Sequence, residues 1–136
     1  ALMGGLSLPT GAEGFSSDGV DPSFLISLAY ELSPRLSFGS NIGAAWESSP
    51  GQPDQEVFVI YSLVLGVGLT ERLSGFLELF GNRSTMGVND PDVSVDGGLT
   101  FLLTNVIQLD AYAGRGLWGR ADDLFIGSGL SFRLPR

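Results

Sequence analysis

The side chains of this chain that could do chemistry are carboxylates, and they fall on one parity of an alternating pattern. Glu31, Glu78, Asp96 and Asp110 lie opposite an apolar face, in company with Asn41, Gln108 and Ser131. Arg133 shares their parity. Arg115 is formally on the other face, but Gly114-Arg115-Gly116 could hold a bulge that turns it inward as a second counter-ion. Paired carboxylates can act as general acid and base. Here nothing accompanies them. The chain has no His and no Cys, which removes serine–histidine hydrolysis and thiol chemistry in their usual forms, with the ligands most zinc sites use. Asn89 and Asp90-Pro91-Asp92 offer oxygen ligands for calcium, although a short acidic run is first of all a solvated turn. No catalytic, cofactor or metal site is read from the sequence. The expectation is a polar cluster of Glu31, Glu78, Asp96, Asp110, Arg115 and Arg133, which either sets strand register or lines a solute path.

The elements that must position these groups are strands. From Val57 the alternate residues are Val57, Val59, Tyr61, Leu63, Leu65, Val67 and Leu69, separated by the smaller and partly polar Phe58, Ile60, Ser62, Val64, Gly66, Gly68 and Thr70. Phe24, Ile26, Leu28, Tyr30 and Leu32 repeat the pattern. A period of two means β-strand. An apolar outer face with small or polar inner residues is what a membrane-spanning barrel requires.

The pattern predicts eight strands, at about 1–9, 22–32, 36–48, 56–70, 73–82, 94–104, 106–117 and 124–134. Three connections are tight: Ser33-Pro34-Arg35, Glu71-Arg72 and Thr104-Asn105. Four are longer and rich in Gly, Pro, Asp and Ser: 10–21, 49–55, 83–93 and 118–123. Leu32-Ser33-Pro34-Arg35-Leu36 resembles Leu69-Thr70-Glu71-Arg72-Leu73, with Leu103-Thr104-Asn105-Val106-Ile107 a looser copy, as a hairpin repeat would. In an up-and-down antiparallel meander the tight turns share one end and the long loops the other, the asymmetry of outer-membrane barrels with short periplasmic turns and long outer loops. Closure would remove the edges that lipid cannot hydrogen-bond. Side chains fill the interior of an eight-stranded barrel, so inward Phe58, Phe76, Phe80 and Phe125, with carboxylates paired to Arg133 or Arg115, predict a blocked lumen.

Aromatic placement adds a second axis. Tyr30, Phe38, Phe101 and Phe132 fall near the short-turn end on the outward parity; Phe24 and Trp46 fall near the long-loop end, with Trp118 just beyond strand seven. Rings of aromatics at both interfaces are expected of a membrane barrel.

Composition agrees. The 136 residues suffice for one domain. Charged residues make up 16%, against about 25% in soluble domains. Mean hydropathy is +0.25, yet no window holds the ~18 apolar residues of a membrane helix. Every basic residue is Arg, the net charge is −8 and no basic patch exists, which argues against nucleic acid as a partner. No signal-peptide pattern opens the chain, so an exported protein would be present here in mature or trimmed form.

Several phrases in order resemble the outer-membrane proteins named for the MetA pathway of phenol degradation, often labelled transporters. They are Ser7-Leu8-Pro9-Thr10-Gly11, Leu32-Ser33-Pro34-Arg35-Leu36-Ser37, Leu69-Thr70-Glu71-Arg72-Leu73, Phe76-Leu77-Glu78-Leu79-Phe80-Gly81, Asp96-Gly97-Gly98-Leu99-Thr100 and Gln108-Leu109-Asp110, followed by Gly114-Arg115-Gly116-Leu117 and Gly127-Ser128-Gly129-Leu130-Ser131-Phe132-Arg133. The resemblance implies an outer-membrane β-barrel and passage of small hydrophobic or aromatic compounds. Two features depart from it: members look longer, with strands before the part matched, and the last aromatic is followed by Leu134-Pro135-Arg136. The chain is then either a compact eight-stranded relative or the C-terminal part of a longer barrel. Two other readings stay open: a structural or anchoring barrel without transport, and a soluble ligand-binding β-barrel.

Overall fold

The computed structural model describes residues 1–11, 19–49, 54–86 and 90–134. Its strands are β1 (Leu2–Ser7), β2 (Asp21–Ser33), β3 (Leu36–Glu47), β4 (Glu56–Gly68), β5 (Leu73–Ser84), β6 (Asp92–Leu102), β7 (Ile107–Trp118) and β8 (Phe125–Phe132). They form one antiparallel sheet in sequence order, curled into a half-barrel. This is the all-β, eight-stranded, up-and-down topology that the alternation predicts.

A shared device makes the tight turns. Ser33, Thr70 and Thr104 occupy the same place in the repeat, and each hydroxyl accepts a hydrogen bond from the backbone N–H two residues on. The distances are 3.4 Å from Arg35, 3.2 Å from Arg72 and 3.2 Å from Val106. Thr70 and Thr104 accept a second N–H, from Leu73 at 3.0 Å and Ile107 at 3.1 Å. A Ser or Thr side chain imitating the backbone in this way is a recognised turn former. The repeat in the sequence is therefore a repeat of turn chemistry.

Register and exposure together define two faces. Cross-strand partners such as Tyr30 and Phe38, Phe38 and Leu65, and Leu63 and Leu79 lie on the outward parity. That face is apolar and open: Leu28 is 65% exposed, Tyr30 68%, Leu77 57% and Ile126 80%. No hydrophobic side chain is buried among the described residues, whereas Ser62, Ser84, Ser94 and Asp96 are, all on the inward parity. The sheet is thus inside out relative to a domain folded around an apolar core. A Leu or Phe withheld from water is worth about 1.5–3 kcal/mol, and this fold leaves that gain unrealised along its whole convex face.

The expected closure is absent. Among the described residues β1 and β8 neither pair nor touch, so the sheet keeps two edges. The inward phenylalanines consequently do not plug a lumen. Phe76, Phe80 and Phe125 instead line an open concavity.

Candidate functional site

The concave face carries its chemistry on β5 to β8, in rows set by register. One row runs Phe76, Gly98, Tyr112, Gly127 across the four strands. The next runs Glu78, Asp96, Gly114, Phe125, and a third Phe80, Ser94, Gly116. Side chains two apart share a face, so these rows stack along the strands. The carboxylate row is thereby held between two aromatic ones. Together they line a concavity of about 600 Å³, to which Asp110 and Asp122 also contribute.

Large and small residues alternate across each row, which is what opens the space. Gly114 is required where it stands: a Cβ there would drive into the Asp96 side chain and come within 2.6 Å of the Phe125 ring. Its absence lets Phe125 lean across β7 to Phe80, with ring centroids 5.9 Å apart in an edge-to-face arrangement.

The loop between β7 and β8 closes the site at the long-loop end. Gly116 N–H donates to the Asp122 carbonyl at 2.6 Å, and Arg120 N–H donates to the Asp92 carboxylate. Gly119 takes φ +75°, a conformation that favours glycine. These contacts bring Asp122 to the concavity. A bulge accompanies them: Val93 pairs with Trp118 and Ser94 with Gly116, leaving Leu117 without a partner.

Electrostatically the site is one-sided. Glu78 and Asp96 face each other directly across β5 and β6. Asp96 is 8% exposed, and its Oδ1 is buried with no hydrogen-bond partner. A buried polar atom without a partner normally costs about 1–3 kcal/mol, more if charged. None of the carboxylates here forms an ion pair with an arginine among the described residues.

Of the six charged residues expected to cluster, the structure brings together Glu78, Asp96 and Asp110. Glu31 is exposed on β2 opposite Ser37, far around the curl from β5. Arg115 keeps the outward parity, paired in regular register with Val95. The bulge falls at Leu117 instead of within Gly114-Arg115-Gly116, because the loop contacts of Gly116 and Arg120 are made there. Arg115 reaches only the neighbouring Gly116 carbonyl, at 3.4 Å. Arg133 lies past the end of β8; Asp110 pairs with Gly129, four residues away, which is about 13 Å along a strand. Elsewhere on the inner face Asn41 donates to Ser62 Oγ at 2.8 Å and Ser84 donates to Glu56. Tyr112, Ser94 and Asp122 belong to the site but escaped the sequence reading. Tyr112 and Ser94 carried a signal, being two residues from Asp110 and Asp96 on the same parity; Asp122 had none.

Six of the aromatic residues lie where the outward parity puts them; Trp118, on β7, reaches the Val93 row only through the bulge at Leu117. Tyr30 pairs with Phe38 near the β2–β3 turn, and Phe132 pairs with Ile107 near the β6–β7 turn, with Phe101 on β6 at the same end. Phe24, Trp46 and Trp118 lie at the opposite end, Trp46 being the least exposed of the seven. For calcium, Asn89 lies outside the described residues, and Asp92 is engaged by the Arg120 N–H.

A family model described as "Putative MetA-pathway of phenol degradation" matches residues 1–134. The chain belongs to this family. The match takes in every strand, so the rows of the concave face lie within the phenol-degradation family's own span. No curated protein and no solved structure matches the chain.

Proposed function

We propose that this chain forms an integral outer-membrane β-barrel, its β1 and β8 edges paired in the bilayer by further strands or a second copy, that binds and passes small hydrophobic or aromatic compounds, without enzymatic activity of its own. The observation that carries the reading is the inverted sheet: a continuous exposed apolar convex face around a concave face where the buried residues are polar. Lipid would supply the burial that water cannot, and the two ends of aromatic side chains would sit at the interfaces. The row of Phe76 with Tyr112 and the edge-to-face contact of Phe80 with Phe125 support a solute of apolar character. A volume of about 600 Å³ falls within the range of small-molecule sites, roughly 300–1,000 Å³. The carboxylates have neither a histidine nor a cysteine to work with, so binding accounts for them better than turnover.

The test is spin labelling at Leu63 and Ser62 of protein reconstituted in liposomes. The Leu63 label should be quenched by a lipid-soluble reagent and spared by a water-soluble one, and Ser62 should show the reverse. A Leu63 label quenched only from water would sink the membrane reading.

A further inference from the structure

The concave site has a charge preference that a merely apolar channel would lack. Glu78 and Asp96 are like charges placed directly opposite, an arrangement that destabilises a sheet unless something offsets it. Asp96 is more than nine-tenths buried, lines the concavity, and holds one oxygen, Oδ1, buried without a hydrogen-bond partner. Among the described residues no guanidinium is paired with either group: Arg115 points outward, Arg133 is beyond the end of β8, and Arg120 lines the adjoining part of the concave face beside Asp92 and Asp122. Aromatic rings flank the carboxylate row on both sides, through Phe76 and Tyr112 in one row and Phe80 in the other. Ring faces attract cations by their quadrupoles, and carboxylates do so by charge. The under-satisfied Asp96 carboxylate adds a demand for an N–H donor, which a protonated amine meets and a quaternary ammonium does not.

We propose that this concavity selects a protonated primary amine carrying an aromatic or similarly compact apolar body. The ammonium would sit on the Glu78–Asp96 row, donating to the carboxylates where they line the concavity, and the apolar body would lie against Phe76, Tyr112 and Phe80. A phenolate or carboxylate is repelled from the same place. The inference rests on the reading of the concave face as a solute-binding surface and narrows its substrate class.

The test uses benzylamine, which is protonated at neutral pH, against benzyl alcohol and benzoate, its near-isosteric neutral and anionic counterparts. Binding to the full chain in lipid nanodiscs would be followed by calorimetry and saturation-transfer NMR. Benzylamine should bind at least tenfold more tightly than benzyl alcohol, and benzoate should not bind measurably. Asp96→Asn and Glu78→Gln should each erase most of that tenfold preference, read as the ratio of benzylamine to benzyl alcohol affinity in the same variant. Glu31→Gln, a change outside the concavity, should leave the preference intact. Circular dichroism of each variant establishes that the sheet is formed. Equal binding of benzylamine and benzyl alcohol would overturn the amine proposal and leave the apolar-solute reading standing. So would a preference that survives both carboxylate substitutions. A preference for benzylamine in a protein whose Leu63 label is quenched only from water would uphold the amine site and remove the membrane reading.

Discussion

Leu63→Arg and Leu69→Arg make a paired test of where this sheet resides. The two leucines are almost equally exposed, at 48% and 50%, and both belong to the outward parity of β4 and its continuation. In water the substitutions should therefore be equivalent, each within about 0.5 kcal/mol of neutral. In a bilayer they should not. β4 runs from Glu56 to Gly68, so its middle is Ser62 and Leu63 is the next residue. With a rise of roughly 3.3 Å per residue and a tilt of about 45°, Leu63 lies ~2 Å from the midplane. Leu69 is seven residues from Ser62 and so lies ~16 Å away, outside an apolar band ~25 Å tall. Arginine on the lipid face costs about 2–4 kcal/mol at the midplane and about 0–1 kcal/mol near the interfaces. The expected difference between the variants is thus roughly 2–3 kcal/mol. Urea titrations in liposomes, followed by the fluorescence of Trp46 and Trp118, measure it directly. Equal destabilisation at the two positions, or full refolding of both variants in buffer without lipid or detergent, would refute the reasoning.

The other expectations concern turns, packing, edges and orientation. Thr70→Ala and Thr104→Ala should each lower stability by about 1–2 kcal/mol, since each hydroxyl holds two backbone N–H groups, and Ser33→Ala should cost less because its contact is 3.4 Å; chemical denaturation ranks the three. Gly114→Ala should cost about 1–3 kcal/mol as its methyl displaces Phe125 and Asp96, and it should weaken aromatic solute binding in the NMR assay. Hydrogen exchange should find β4 amides, paired on both sides, better protected than those of β1 and β8, each paired on one side only. An epitope inserted within 118–123 should be reached by antibody on intact cells, and one at Pro34 should be reached only after the outer membrane is opened.

Much of the fold was legible because its information is local. Alternation along β2 and β4 identifies strands and their faces from one residue to the next, and the exposures of Leu28 and Leu63 follow it. The turn repeat was visible because Ser33, Thr70 and Thr104 act on amides only two or three residues away. Strand ends were less visible. β5 continues to Ser84 and β6 begins at Asp92, two residues beyond the pattern on each side, because Arg83 and Ser84 pair with Val59 and Phe58 of β4 and Asp92 pairs with Asn82. The bulge at Leu117 depends on where the β7–β8 loop folds back, which the flanking Gly116 and Gly119 do not fix by themselves.

Alternation alone establishes a meander of strands with one apolar and one polar face, since a period of two needs no knowledge of any partner. It also determined that carboxylates would lie on the polar face with few arginines to match them. Which of them meet is a matter of how the strands pair. Register set Glu78 against Asp96, left Glu31 and Arg133 elsewhere, and placed aromatic rows on either side of the acidic one. It decided too that β1 and β8 stand apart, leaving the concave face open. The reason is geometric: parity is fixed by neighbours in the chain, whereas register and curvature are fixed by pairings between residues far apart in it.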